Sequence, residues 1–317
     1  MAILVTGGTG ANGSMVIRKL LEIGQTPVVY DLYPDTTLIK DIAERVKIVR
    51  GDILSLPNLI QAVKEHKIDR IIHLAAAIRS EHGRGNPAVE FKINCEGTLN
   101  VLETARVMDV KRIVLASSRA ALGPPTGEFG YPTYKPVGED VAKNPEGMYG
   151  ATKLLCECMG LVYNSEYSLD FVVIRAPHLY GPGRSAHGGF AVIDMMVENA
   201  LHGRPTKVLE GGDAKDDWTY TKDVAKGIVL ACTAKKLQHH IFHIGTGKGT
   251  TLHDAAAIIK KIIPEAVIEV GPGYKMGPAY CSVLDISRAR KELGYEPQYY
   301  LEDGIKDYIN ILRQGSL

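Results

Sequence analysis

The sequence predicts an α/β protein: a doubly wound parallel sheet with helices on both faces, plus a smaller C-terminal lobe interleaved with it. Three observations predict this class. The chain opens with an apolar run that enters a glycine-punctuated turn and then a helical pattern. Strand-length apolar runs then alternate with helix-length amphipathic runs through the first half, the pattern of parallel βαβ units. After Arg175 the rhythm breaks, and Pro177, Gly181, Pro182, Gly183, Gly188 and Gly189 crowd into one stretch.

The first unit runs over 1–25. Ala2 to Val5 is a strand; Met15, Val16, Leu20 and Leu21 recur at helical spacing. Between them stands Thr6-Gly7-Gly8-Thr9-Gly10-Ala11-Asn12-Gly13. Gly7 and Gly10 let backbone turn tightly beside a pyrophosphate, and Gly13 lets helix and strand pack closely. The helix start offers free N–H groups to phosphates. The second strand, over 26–30, ends at Asp31. An acid there accepts both ribose hydroxyls of an adenosine and repels a 2′-phosphate, so NAD is expected rather than NADP.

Further along, strands are expected at Lys47–Arg50 and Arg70–His73, and a helix over 57–67 between them. Leu74-Ala75-Ala76-Ala77 follows, its small side chains leaving room for a flat ligand. A long helix over 87–107 contains Asn94. A strand over 112–117, a helix over 147–166 and a strand over 170–175 complete the alternation. Beyond the break, the pattern predicts a helix over 190–202 and a return strand over 241–244. Thr251 caps a helix to about 262, and two further helices lie near 287–293 and 301–312. This places a dinucleotide-binding domain over 1–177, with a return segment near 216–246, and a substrate-binding lobe over 178–317.

Composition excludes several classes. Of 317 residues, 45% are apolar and 23% charged, with net charge +1, so neither nucleic acid nor an anionic membrane is an expected partner. No apolar run reaches transmembrane length, and the N-terminus enters the first strand without a signal peptide, so a cytoplasmic protein is expected. The cysteines Cys95, Cys156, Cys158, Cys232 and Cys281 are odd in number and scattered, which argues for reduced, buried thiols and against a disulfide framework or a metal site.

The chemistry is expected at Ser118, Tyr149 and Lys153. Tyr149 and Lys153 stand four apart on a helix, hence on one face. A cation held beside a phenol favours its phenolate, and the pair then serves as general base or acid toward an alcohol or carbonyl. Lys153 is also placed to bond a nicotinamide ribose. Ser118, ending a strand, is placed to hydrogen-bond the reacting oxygen.

These motifs, together with Gly51-Asp52-Ile53, Gly97-Thr98, Arg175, Tyr180-Gly181-Pro182-Gly183, Asp217-Trp218-Thr219-Tyr220 and Ile244-Gly245-Thr246-Gly247, span nearly the whole chain. In combination they resemble the extended short-chain dehydrogenase/reductase family of sugar-nucleotide epimerases, dehydratases and related dehydrogenases, built on a Rossmann fold. The resemblance implies that Asp52 and Ile53 meet the adenine and that Leu74, Ala75 and Ala76 line the cofactor path. It further implies Ala11, Asn12, Asn94, Ser117, Ala176 and His178 at the cofactor, beside Tyr149 and Lys153. Ala77, Ser118, Arg119, Tyr149, His178 and Arg184 would face the substrate. A homodimer through the helices carrying Asn94 and Tyr149 is likewise implied.

The chain departs from the family at informative places. Ser118-Arg119-Ala120 replaces the Thr-Asp-Glu of dehydratases, so elimination of water lacks its acid and base. Asp216 stands where epimerases carry a diphosphate-binding arginine, and only Lys275 lies near the second such position. Two adjacent carboxylates, Asp216 and Asp217, would repel a diphosphate. Arg119 is expected to clamp an anionic substrate group, or else to anchor its loop by pairing with an acid. His178 donates to a hydroxyl or merely packs.

The expected function is therefore NAD-dependent oxidation of a secondary alcohol on a small polar, anionic, sugar-derived or hydroxy-acid substrate. The alternative is an NAD-dependent sugar or sugar-nucleotide epimerase working by transient oxidation. A non-catalytic NAD-sensing module is the third reading, disfavoured by the intact Ser118, Tyr149 and Lys153.

Overall fold

The computed structural model describes residues 2–77, 86–184, 191–274 and 281–315. The first half runs β1 (Ala2–Thr6), α1 (Ala11–Glu22), β2 (Thr26–Asp31), β3 (Lys47–Arg50), α2 (Leu56–Glu65) and β4 (Arg70–His73). Next come α3 (Pro87–Phe91), α4 (Gly97–Val107), β5 (Arg112–Ser118), α5 (Met148–Tyr167) and β6 (Asp170–Ala176). The remainder runs β7 (His178–Tyr180), α6 (Val192–Leu201), β8 (Thr206–Val208), β9 (Trp218–Tyr220), α7 (Thr221–Thr233) and β10 (Ile241–His243). It ends with α8 (Leu252–Ile262), β11 (Ile268–Val270), α9 (Ser287–Leu293) and α10 (Leu301–Gln314).

Seven strands form the central sheet in the order β10-β6-β5-β4-β1-β2-β3, each pair parallel. The order reverses around β1, and the crevice at the carboxyl ends of β1 and β4 is where such sheets receive ligands. Alternation along the strands sorts side chains to two faces. Ile3, Val5, Ile72, Val114, Val172 and Ile174 pack beneath α1, α7 and α9. Leu4, Ile71, Ile113, Leu115, Phe171 and Val173 pack beneath α2, α4 and α5. A separate core joins α6, α8 and α10 around Tyr180, Trp218 and Tyr220, on the short parallel pair β7 and β9.

The expected helix over 87–107 is continuous but not uniform. Residues Lys92–Glu96 wind as a π-helical turn between α3 and α4. Such a turn inserts an extra residue and re-aims its side chains; here it carries Asn94. Thr251 caps α8 as expected, in a reciprocal capping box with Asp254. The segment 190–202 is helical from Val192; Phe190 lies outside the described residues. Sequence periodicity missed α7. This helix follows β9 with no loop and no side-chain cap, so no local start signal precedes it.

The opening turn shows why glycine is needed at position 13. A Cβ there would lie 2.3 Å from the Gly7 carbonyl oxygen and 2.6 Å from that of Gly8. Both are backbone atoms of the turn, so neither can swing aside. Gly13→Ala is expected to cost about 1–3 kcal/mol and to misplace the α1 N–H groups. Thermal melts with and without NAD check this: the variant melts lower and loses the NAD-dependent rise of the wild type.

Candidate active site

Thr6 passes into the turn at the carboxyl end of β1, and α1 begins at Ala11 with Gly10 as its N-cap. No side chain caps that end, and no acid stands in its first turn. Its leading N–H groups are thus left for an external anion. The Asn12 Oδ1 beside them is buried without a partner. Asp31, at the tip of β2, accepts hydrogen bonds from Thr9 N (3.2 Å) and Thr9 Oγ1 (2.8 Å), both on its Oδ2. That fixes the acid beside the loop. Asp52 Oδ1 accepts from Leu54 N (2.9 Å), and Ile53 is buried against Gly97. Leu74 and Ala75 follow β4 and donate their N–H groups to Thr6. These residues fit the adenosine and pyrophosphate of a dinucleotide by charge, shape and free donors.

Three of the expected cofactor contacts are used differently. Asn94 is 1% exposed. Its Oδ1 accepts from Ala77 N (2.8 Å), and its Nδ2 donates to Ala77 O (3.1 Å) and Thr152 Oγ1 (3.0 Å). With its amide engaged in this way, it pins the 74–77 segment to α5. Ser117 Oγ turns inward and donates to Glu157 Oε1 at 2.5 Å. Glu157 in turn receives Arg175 Nε (3.0 Å) and, on its other oxygen, Arg175 Nη2 (2.6 Å); both side chains are buried. The imidazole of His178 is engaged with Asp216. Ala176 ends β6 in register with Ser118.

Gly150 docks α5, the helix that carries Tyr149 and Lys153, onto the turn that follows Ser118. A Cβ on it would stand 2.4 Å from the Ala120 carbonyl oxygen, so only glycine lets the first turn of α5 sit on the 119–121 turn. That docking sets Tyr149 beside the end of β5, where Ser118 Oγ accepts from Ala120 N at 3.2 Å. Lys153, one helical turn on, is 4% exposed. Its Nζ lies 5.7 Å from the Tyr149 ring centroid and donates to Ala116 O at 2.7 Å. Tyr149 itself stays half-buried. The carbonyl anchor holds the ammonium in place next to a phenol that solvent and ligands can reach.

Arg119 does not clamp a substrate. It is 6% exposed, and its guanidinium forms a buried fork with Asp216. Nη2 donates to Asp216 Oδ2 at 2.9 Å and Nη1 to the Ser282 carbonyl at 3.1 Å. His178 Nδ1 lies against the same carboxylate, and its ring stacks on Trp218 at 5.1 Å. Burial opposes the charge on Asp216, but Arg119 and His178 outweigh it and hold its carboxyl below the ordinary range. Burial first, then Arg119, push His178 down.

The neighbouring Asp217 is also committed. It accepts from Thr246 N (2.8 Å), Thr246 Oγ1 (2.7 Å), Thr219 Oγ1 (3.0 Å) and Gly247 N (3.1 Å). The expected repulsion between these two carboxylates and a diphosphate therefore loses its basis. One is neutralised by a buried cation, and the other is surrounded by donors. Lys275 lies outside the described residues. Arg184 follows the Tyr180–Gly183 turn and is buried. Cys95, Cys156, Cys232 and Cys281 are buried as expected, and Cys158 is exposed on α5. Among the described residues no helix is long and apolar enough to cross a membrane.

Comparison with known proteins extends this picture. The model of the NAD dependent epimerase/dehydratase family matches residues 3–245. A UDP-glucose 4-epimerase of Mycolicibacterium smegmatis is 30% identical over 320 aligned positions, covering 100% of both chains. The crystal structure of the Thermotoga maritima UDP-glucose 4-epimerase with UDP-glucose superposes with a TM-score of 0.86 at 27% identity, covering 100% of each chain. That of the Thermus thermophilus UDP-glucose 4-epimerase with NAD gives 0.86 at 26% identity, covering 99% of each.

Proposed function

We propose, from the premise that this chain belongs to the NAD dependent epimerase/dehydratase family, that it inverts one hydroxyl-bearing carbon of a nucleotide sugar by transient oxidation. The observation that carries the reading is the docking of α5 on the 119–121 turn through Gly150, with Lys153 Nζ 5.7 Å from the Tyr149 ring centroid. NAD is the cofactor, its pyrophosphate on the first turn of α1 and its adenosine ribose on Asp31. When bound, it supplies a reversible hydride acceptor. Tyr149 Oη takes the hydroxyl proton of the substrate as the carbon is oxidised and returns it on reduction. Ser118 hydrogen-bonds the same oxygen. Lys153, fixed on Ala116 O, balances the charge that develops on the phenol.

Epimerisation is favoured over net dehydrogenation of a hydroxy acid because Arg119 is engaged with Asp216. The full-length relatives named above are epimerases. One observation still favours the dehydrogenase reading: position 216 carries an acid sealed against Arg119, so it supplies no cation to hold a diphosphate. Proton NMR on purified protein with NAD and UDP-glucose separates the two. Epimerisation gives UDP-galactose with no accumulation of NADH. NADH formed in step with a hydroxy acid, and no change in the UDP-sugar, overturns the reading.

The same elements support a homodimer. Met148, Leu155 and Val162 recur every seven residues along α5 with their side chains exposed, and Leu99 and Val107, eight apart, are exposed on α4. An apolar stripe on two adjacent helices suits a four-helix interface with a second copy. Light scattering should give twice the 34.5 kDa chain mass. Leu155→Glu with Val162→Glu should give the single-chain mass with the fold retained; a wild-type monomer sinks the idea.

A further inference from the structure

Two of the cysteines meet where the π-helical turn packs on α5. Cys95, on that turn, places its Sγ 3.9 Å from the Thr152 carbonyl oxygen, and Cys156 Sγ donates to the Asn94 carbonyl at 3.2 Å. Each sulfur thus rests on backbone beside the other cysteine. Asn94 directly precedes Cys95, and the Thr152 carbonyl faces the residue one α5 turn on, which is Cys156. This crossed seating leaves the two thiols within hydrogen-bonding reach of each other. Both are buried in the core beneath α4 and α5, at 3% and 1% exposure. Hydrogen bonding to Cys95 pulls the Cys156 thiol below its ordinary value in spite of burial. The Lys153 ammonium, three residues earlier on the helix, adds to the pull. A thiol favoured as thiolate is the nucleophile of such a pair, and the neighbour within reach resolves it. Hydrogen peroxide, close to water in size, reaches a buried pair on local opening.

We propose that Cys95 and Cys156 form an oxidation site, a dithiol that a peroxide closes to a disulfide, slowing the active site carried on α5. The Cys156 sulfur attacks one peroxide oxygen, the O–O bond breaks, and a sulfenic acid and a first water result. The Cys95 sulfur then attacks the Cys156 sulfur; the S–S bond forms, the S–O bond breaks, and the hydroxyl leaves as a second water with the Cys95 proton. In sum the two thiols give up two hydrogens and two electrons, and hydrogen peroxide is reduced to two waters. Closing the bond removes both S–H donors, so the Asn94 and Thr152 carbonyls lose their thiol contacts. Those two residues support the site. Asn94 Nδ2 donates to Thr152 Oγ1 (3.0 Å), and Thr152 Oγ1 donates to the Tyr149 carbonyl (3.0 Å). The disulfide therefore acts on the helical turn that carries Tyr149 and Lys153; its effect on turnover rests on the epimerase reading above.

Titration of the NAD-loaded protein with hydrogen peroxide tests this. Peptide mapping without reduction should recover Cys95 and Cys156 as one cross-linked pair. In step with it, kcat in the NMR assay should fall about tenfold or more, the scale of a small misplacement at a reacting centre. Dithiothreitol should reverse both. Cys158→Ser, which lacks the exposed thiol, should respond as the wild type does. Cys156→Ala, which lacks the attacking thiol, should keep its turnover through the same treatment. Cys95 and Cys156 still reduced when Cys158 is fully oxidised overturn the proposal. So does a cross-link that leaves kcat unchanged, or an equal loss of turnover in Cys156→Ala. A protein without turnover before peroxide is added fails the epimerase reading instead, and the mapping alone then decides the thiol pair.

Discussion

Tyr149→Phe should lower kcat by about 10²–10⁴-fold, the contribution of a positioned general acid–base group, while the affinity for NAD changes little. The phenol oxygen is the group placed to move the proton. The ring that fills the space above Lys153 is retained in Phe, and Lys153 keeps its bond to Ala116 O. Binding is checked by fluorescence titration with NAD, and turnover by the NMR assay. A variant keeping more than about a tenth of wild-type kcat would assign the proton transfer to another group. Ser118→Ala should be milder, since Ser118 only hydrogen-bonds an oxygen whose proton Tyr149 handles.

The second large effect is on stability. Arg175→Met leaves the Glu157 carboxylate, itself buried, with Ser117 as its remaining side-chain partner. Removing one member of a buried pair costs about 3–5 kcal/mol because the other charge stays desolvated. The urea midpoint should fall accordingly. The double replacement Arg175→Met with Glu157→Leu should recover most of the loss, since an apolar pair of similar volume carries no uncompensated charge. If the double variant is no better than the single one, the Arg175 contact with the Glu139 carbonyl (2.9 Å) matters more than the ion pair. Ser117, which donates to Glu157, immediately precedes Ser118, so the single variant should also lower kcat.

Much of this molecule is legible locally. The strands Lys47–Arg50 and Arg70–His73 coincide with the structure at both ends, because apolar runs bounded by turn residues report local geometry directly. The glycine turn, the acid after the second strand and the Tyr149–Lys153 spacing are likewise local signals. What the sequence hides is pairing over distance. Arg119 looks like a free cation until Asp216, 97 residues later, is folded onto it. Asn94 looks like a ligand contact until Ala77 and Thr152 take up its amide. Three-residue strands such as β8 and β11 carry too few residues for any period to register.

Hidden pairing also explains the two departures from the family pattern at positions 119 and 216. An added guanidinium and an added carboxylate, each unfavourable alone in a closed interior, make a single compensated exchange. Either group without the other would leave an uncompensated charge in that interior. Among relatives, a basic residue after the strand-end serine should therefore travel with an acidic one ahead of the Asp-Trp pair. Sorting chains by that two-position fingerprint would group enzymes sharing this sealed cleft wall more reliably than overall identity does.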